Sequence, residues 1–232
     1  MDIIILAGGL GTRLRGVVPH VPKTLAPVNG RPFLDTLLES LERSGEVSKV
    51  VITTSYLADA IHERYTDARY RFPLVFSREE SPLGTGGAVK KALTLTSGDD
   101  VIIMNGDTYA DADLSALIRF HKEKNSAATI VVAKKDNAAR YGGVALDDDF
   151  KIYSFVEKKG GADFVSAGTL ILKRHLFDSV PEGVVCSLEM DLIPQWLPEG
   201  MYAYVHHGGF IDIGTPESYA QAENYLTARK RD

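Results

Sequence analysis

Five charged side chains in this sequence have neighbours that suit them for chemistry. Arg13 closes the stretch Gly8-Gly9-Leu10-Gly11-Thr12-Arg13, which directly follows a short apolar run. Glycines let backbone N–H groups approach a phosphate chain closely, and an arginine forks onto phosphate oxygens. Lys23, placed after the rigid Pro22, adds a second cation. A loop of this make-up is suited to a nucleoside triphosphate. Asp107 follows an apolar strand and Gly106, which sets a carboxylate at the carboxyl end of a sheet, where open α/β folds bind ligands. Asp212 stands between Ile211 and Ile213, just before Gly214. Two carboxylates meeting near a triphosphate suit Mg²⁺, which takes one or two carboxylates together with phosphate oxygens and water. Lys158, at the end of Phe155-Val156-Glu157-Lys158, supplies a point charge for a further phosphate.

Other readings of these residues are weaker. A P-loop ends in Gly-Lys-Ser/Thr, and the chain has no Gly-Lys pair. A dinucleotide fingerprint would put Leu14 at its third glycine, and it wants an acid after the second strand, where Thr53-Thr54-Ser55 stands. A plain turn needs neither three glycines nor the two cations. Asp111 and Asp113 read as turn and cap residues. His206 and His207 are adjacent on a strand, so they point to opposite faces and do not share a metal. Tyr202 and Tyr204 read as packing.

The elements that must position these residues alternate strand and helix through the first half. Strands are expected at 3–7, 50–52, 74–76 and 101–104. Helices are expected from Pro32 to Gly45, over 58–65 and 86–95, and from an Asp113 cap to about 124. The second half is richer in strands, at 128–133, 143–146, 152–156, 169–172 and 201–205. Helices are expected around 190–197 and from Pro216 to about 228. This pattern predicts an α/β fold: a Rossmann-like mixed sheet flanked by helices, with a strand-rich half appended. One domain over 1–232 is expected, with lobes at about 1–125 and 126–232.

Composition narrows the class. The chain has 232 residues, 44% of them hydrophobic and 25% charged. That is ordinary for a soluble globular protein. At this length folding buries about 70% of the extended surface, so no covalent staple is required. The net charge of −5 argues against a dedicated nucleic-acid binder. One cysteine, Cys186, excludes an internal disulfide and a cysteine-based zinc site. No apolar stretch is long enough to span a membrane, and the N-terminus lacks a signal-peptide pattern. The expected location is the cytoplasm. A homodimer is compatible with the sequence and not required by it.

Five motifs in order resemble the sugar-1-phosphate nucleotidyltransferases. They are Gly8 to Leu14 with Pro22-Lys23; Pro82-Leu83-Gly84-Thr85-Gly86-Gly87; Asn105-Gly106-Asp107; Phe155-Val156-Glu157-Lys158; and Ile211-Asp212-Ile213-Gly214-Thr215-Pro216. The resemblance implies this family's nucleotide-diphospho-sugar transferase fold, with the strand-rich half binding the sugar. It further implies attack by a sugar 1-phosphate on the α-phosphorus of a nucleoside triphosphate, with Mg²⁺ on Asp107 and Asp212. Arg13, Lys23 and Lys158 take the catalytic roles. Leu6, Ala7, Gly8, Gly9, Gly11, Thr12, Arg13, Pro82, Gly84, Thr85 and Gly106 are expected around the nucleotide. Tyr141, Gly142, Gly143, Glu157, Lys158, Ser166, Ala167 and Gly168 are expected around the sugar phosphate. Family members using a pyrimidine commonly offer a glutamine before the second glycine motif. Here Glu79 and Glu80 stand instead, and a carboxylate accepts from guanine N1–H and N2–H₂. GTP is therefore the expected nucleotide, with Glu80 as the reader.

Residues 81–90, 104–114 and the short C-terminus further resemble the heptose 1-phosphate guanylyltransferases, and the mannose-1-phosphate guanylyltransferases less closely. That resemblance implies a GDP-sugar product, of use in surface polysaccharide or glycan synthesis, and no C-terminal hexapeptide-repeat domain. A uridylyl- or thymidylyltransferase is the nearby alternative. A metal-dependent glycosyltransferase and a non-catalytic regulatory relative are alternatives of other classes. The first would not need the Gly8–Lys23 loop, and the second would have no reason to keep all four of Arg13, Lys23, Asp107 and Asp212.

Overall fold

Ile3, Ile4 and Ile5 are wholly buried, which requires cover on both faces of the strand that carries them. That strand, β1 (Asp2–Leu6), lies inside a nine-stranded sheet of the computed structural model, which describes residues 1–134, 143–156 and 164–229. Following it are β2 (Pro27–Val28), β3 (Arg31–Pro32), α1 (Phe33–Ser44), β4 (Lys49–Thr54), α2 (Ala58–Tyr65), β5 (Leu74–Arg78), α3 (Gly84–Leu93) and β6 (Asp100–Asn105). Next are β7 (Thr108–Ala110), α4 (Leu114–Glu123), β8 (Ala128–Lys134), β9 (Gly143–Leu146), β10 (Ile152–Val156) and β11 (Phe164–Lys173). The last are α5 (Ile193–Trp196), β12 (Met201–Val205), β13 (Phe210–Asp212) and α6 (Pro216–Arg229).

The main path of the sheet runs β10-β9-β11-β6-β1-β4-β5, with β8 between β11 and β12. β6, β1, β4 and β5 are parallel neighbours, whereas β11 runs antiparallel to β6, β8 and β9. The mixed sheet expected from the sequence is therefore present. Ile3 and Ile5 meet Leu34, Leu37, Leu38 and Leu41 of α1, with α2, α4 and α6 on the same side. Ile4 faces the other side, toward Val89, Ala92 and Leu93 of α3 and Trp196 of α5. The alternation is that of a pleated strand. Each fully buried Leu or Phe on α1 contributes about 1.5–3 kcal/mol.

The chain departs from the expected elements in two places. Instead of one helix over 190–197, a π-turn (Leu188–Leu192) leads into the four-residue α5 and a 3-10 turn (Leu197–Glu199). Pro194 and Pro198 cause this, since neither can donate a backbone hydrogen bond. The second departure is a pair of small antiparallel ribbons, β2–β3 and β7–β13, too short to show a hydrophobic period.

Candidate active site

The loop after β1 is held from below. Leu14 is buried in the core, and its N–H donates to Gly11 O at 3.0 Å, while Val17 and Val18 donate back to Leu14 O at 2.9 Å. Gly11 has φ +60°, and a side-chain carbon there would stand 3.2 Å from Lys23 Cβ. Only glycine suits that position. The loop thus lies against the short 3-10 turn Lys23–Leu25 that carries the lysine. Arg15 is engaged, with Nε donating to Leu10 O at 3.2 Å and its guanidinium over the Tyr56 ring at 4.4 Å. Arg13 is exposed, lines the cleft, and has no hydrogen-bond or ion-pair partner among the described residues.

The β7–β13 ribbon brings two distant aspartates together. Asp212 pairs with Thr108, the residue after Asp107, and Ile213 N–H donates to Asp107 O at 2.9 Å. Lys23 Nζ donates to Asp107 Oδ2, and Thr108 Oγ1 donates to Oδ1 at 3.1 Å. Asp212 Oδ1 accepts from Gly214 N at 2.8 Å and from Ser218 Oγ at 3.1 Å. A side-chain carbon on Gly214 would stand 2.6 Å from Asp212 Oδ1 and 3.3 Å from Lys23 Nζ. The ammonium that pairs with Asp107 therefore also neighbours Asp212. Two carboxylates brought to one ribbon end form an all-oxygen donor set, which suits a hard divalent ion such as Mg²⁺.

A cleft of about 430 Å³ joins these parts. Leu6 to Arg13, Lys23, Asn105, Asp107 and Gly214 line one part of it. Glu79, Pro82, Gly84, Thr85 and Glu189 line it as well, and a side-chain carbon on Gly8 would stand 2.8 Å from Glu79 Oε1, so Glu79 lies against the loop after β1. The expectation for Glu80 needs correcting. Burial alternates from the last residues of β5 onward, with Ser77 and Glu79 buried and Arg78 and Glu80 exposed. Glu79 therefore faces the cleft and Glu80 faces solvent. Glu79 Oε2 accepts from Leu83 N at 2.9 Å. Burial pushes the Glu79 carboxyl above the usual range, against the smaller lowering by that amide and by Lys91.

Gly106 is not on the cleft either. Its N–H donates to Leu6 O at 2.9 Å, and a side-chain carbon would stand 2.7 Å from that oxygen, so its smallness lets β6 and β1 end side by side. In the second glycine motif Gly84 lines the cleft, but Gly86 and Gly87 face protein. A side-chain carbon at Gly84 or Gly87 would stand 2.4 Å from Cys186 O or 2.3 Å from Val184 O. Gly86 N–H donates to Cys186 O at 2.9 Å, which satisfies one of the open donors at the start of α3.

Among the sugar-phosphate residues, Tyr141, Gly142, Glu157 and Lys158 lie outside the described residues. Gly143 pairs with Val156 and Val165. Ser166, Ala167 and Gly168 lie where the register of β11 shifts, and Gly168, at φ +74°, abuts Thr108 and Asn105. They therefore stand beside the Asp107 end.

Sequence reasoning ranked Glu79 behind Glu80, and the structure places Glu79 as the inward carboxylate. It missed Glu189, which follows Thr85 by 104 positions and reaches it only through the fold.

The sequence pattern of the nucleotidyl transferase family matches residues 2–229. The chain is 32% identical to the D-glycero-alpha-D-manno-heptose 1-phosphate guanylyltransferase of Aneurinibacillus thermoaerophilus, over 97% of this chain and 98% of that protein. It is 30% identical to the mannose-1-phosphate guanylyltransferase of Mycobacterium tuberculosis, over 95% of this chain and 63% of that longer protein. Among solved structures it is similar to HddC from Yersinia pseudotuberculosis complexed with GMP-PN. There the TM-score is 0.85 at 37% identity, covering 97% of this chain and 99% of that one. With matches of this extent, the chain belongs to the nucleotidyl transferase family.

Proposed function

We propose that this protein joins GTP to a sugar 1-phosphate, D-glycero-α-D-manno-heptose 1-phosphate by preference, and releases pyrophosphate. The observation that carries this reading is the convergence of Asp107, Asp212 and Lys23 at one end of a cleft whose other end carries Glu79 and Thr85. Asp107 follows β6 and Glu79 follows β5, three strands away in the order β6-β1-β4-β5. At about 4.8 Å per interstrand step the ends of those two strands lie about 14 Å apart, and the Glu79 carboxylate reaches back from there to the side of Gly8. The heptose guanylyltransferase relative supports the choice of sugar, and its coverage is nearly end to end.

A sugar phosphate oxygen forms a bond to the α-phosphorus as the bond from that phosphorus to the β-phosphate oxygen breaks. The nucleophile is already an anion, so no general base is needed. Positioning and neutralisation of charge do the catalysis. Arg13 steadies the leaving phosphates and Lys23 serves the α-phosphate. Asp107 and Asp212 would hold Mg²⁺, which lends Lewis acidity to phosphate oxygens when bound. Lys158 receives the sugar phosphate, and Lys158→Ala is expected to raise the KM for that substrate rather than for GTP. Glu79 accepts hydrogen bonds from the guanine edge.

The test is pyrophosphate release from GTP, UTP, dTTP, ATP and CTP, each with heptose 1-phosphate and mannose 1-phosphate in turn. Higher kcat/KM with UTP or dTTP than with GTP overturns the guanine assignment. Better use of mannose 1-phosphate keeps the mechanism and changes the sugar; the relative from Mycobacterium tuberculosis makes that the second reading.

A further inference from the structure

We propose that Glu189 is a positioning residue that fixes the polarity of the Thr85 hydroxyl, and through it the enzyme's preference among bases. The proposal rests on the guanylyltransferase reading above. Thr85 lines the cleft at the first turn of α3. Its hydroxyl is already committed on two sides. Leu188 N–H donates to Thr85 Oγ1 at 2.8 Å, and Oγ1 lies 2.7 Å from Glu189 Oε2. A carboxylate only accepts, so the single hydroxyl proton of Thr85 goes to Glu189. What remains on Thr85 is one lone pair. Toward a bound base this threonine accepts and does not donate.

The carboxylate that imposes this is itself held firmly. Ser187 Oγ donates to the same Glu189 oxygen at 3.3 Å, and Ser187 Oγ accepts from Met190 N at 3.1 Å. Ser187 N–H in turn donates to Asp191 Oδ2 at 2.7 Å. The segment before it is fastened to α3, because Cys186 O accepts from Gly86 N and Cys186 N–H donates to Leu83 O at 3.0 Å. Glu79, which also lines this end, is a second acceptor. Glu79, Thr85 and Glu189 thus each turn an acceptor toward this part of the cleft. These acceptors match the N1–H and N2–H₂ donors of guanine, and they oppose the carbonyl oxygens of uracil and thymine. Rejection of the wrong base is as much a part of this arrangement as attraction of the right one.

Glu189→Ala releases the Thr85 proton, which can then turn toward a base carbonyl. The expected result is a fall of about tenfold in the ratio of kcat/KM for GTP to that for UTP, the worth of one neutral hydrogen bond. The change should sit in the nucleotide KM and not in the KM for the sugar 1-phosphate. Glu189→Gln should restore most of the ratio. Two hydroxyl donors face the Glu189 oxygen, so the amide oxygen takes that place and again receives the Thr85 proton. Thr85→Val should lower the ratio by itself, and adding Glu189→Ala to it should change nothing more.

Three results overturn the proposal: a ratio within twofold of wild type in Glu189→Ala, no rescue by Glu189→Gln, or additive effects in the double variant. If wild type itself uses UTP better than GTP, the guanylyltransferase reading falls and this inference with it. If wild type prefers GTP and the variants do not move the ratio, only the role of Glu189 is lost. Thr85→Val and Glu189→Gln are nearly isosteric, so the test survives if the alanine variant folds poorly.

Discussion

The two ends of the cleft treat their carboxylates differently. At one end Asp107 meets the Lys23 ammonium and the Thr108 hydroxyl, and Asp212 receives Gly214 N–H and Ser218 Oγ in an ammonium's vicinity. At the other end Glu79 receives one backbone amide and Glu189 two hydroxyls, and among the described residues no cation pairs with either. On the function proposed above, the first takes the polyphosphate with its metal and the second takes the donor edge of guanine.

The comparison breaks most visibly at the aspartates. On the proposed mechanism Asp107→Asn and Asp212→Asn should each lower kcat by at least about 100-fold, since each would remove a charge that holds the metal. Both variants should keep the circular-dichroism spectrum of wild type. Asparagine keeps an oxygen for Gly214 N–H and Ser218, so the loop at Asp212 has what it needs to fold. Near-normal Mg²⁺-dependent turnover in both would remove the pair from the mechanism. A smaller loss is expected for Arg13→Ala, about 10- to 100-fold in kcat/KM for GTP. That is the worth of one charge-assisted contact at about 1.5–3 kcal/mol. Calorimetric titration with GTP checks whether the loss is in affinity. An unchanged Kd would take Arg13 off the triphosphate.

At the opposite end Glu79→Gln should cost about tenfold in kcat/KM for GTP, while Glu80→Gln should stay within twofold of wild type. If Glu80→Gln proves the more damaging, the side chain facing solvent is the one in use and the geometry of this end is wrong. The smallest effect expected is on stability. Burial raises the Glu79 pKa in the folded chain. The folded state then holds more protons than the unfolded state between the ordinary glutamate pKa of about 4.3 and the raised value. Stability from this group is full below that window and is lost as pH rises through it. Glu79→Gln should therefore raise Tm by a few degrees at pH 7, with the gain shrinking as pH approaches about 4. A gain that grows on acidification would reverse the sign of this account.

Much of this arrangement is legible in the sequence because its cause is local. Three consecutive isoleucines announce β1, and Leu34, Leu37, Leu38 and Leu41 announce the buried face of α1. Arg13, Lys23 and Asp107 are marked by the glycine, proline and strand beside them, and the fold brings all three to one cleft. What was not legible is non-local or too short to carry a period. The β7–β13 ribbon that aligns the aspartates has three residues on each side. Gly86 and Gly87 of the second glycine motif make room for Cys186 and Val184, about 100 positions away. The contact of Thr85 with Glu189 spans a similar distance.

The place of β11 beside β6 has a consequence for the chain as it is made. β6 carries Val101, Ile102, Ile103 and Met104, all buried once Thr169–Lys173 of β11 pairs along it. The ribosome completes β6 at Asn105 and reaches Thr169 only 64 residues later. At about 5–20 residues per second, β6 would wait roughly 3–13 s as an unprotected apolar edge. An exposed edge of that kind is a template for pairing with another chain. Synthesis speed through residues 106–168, and holdase chaperones acting on the nascent chain over that interval, should therefore govern the yield of soluble protein, independently of the stability of the finished fold.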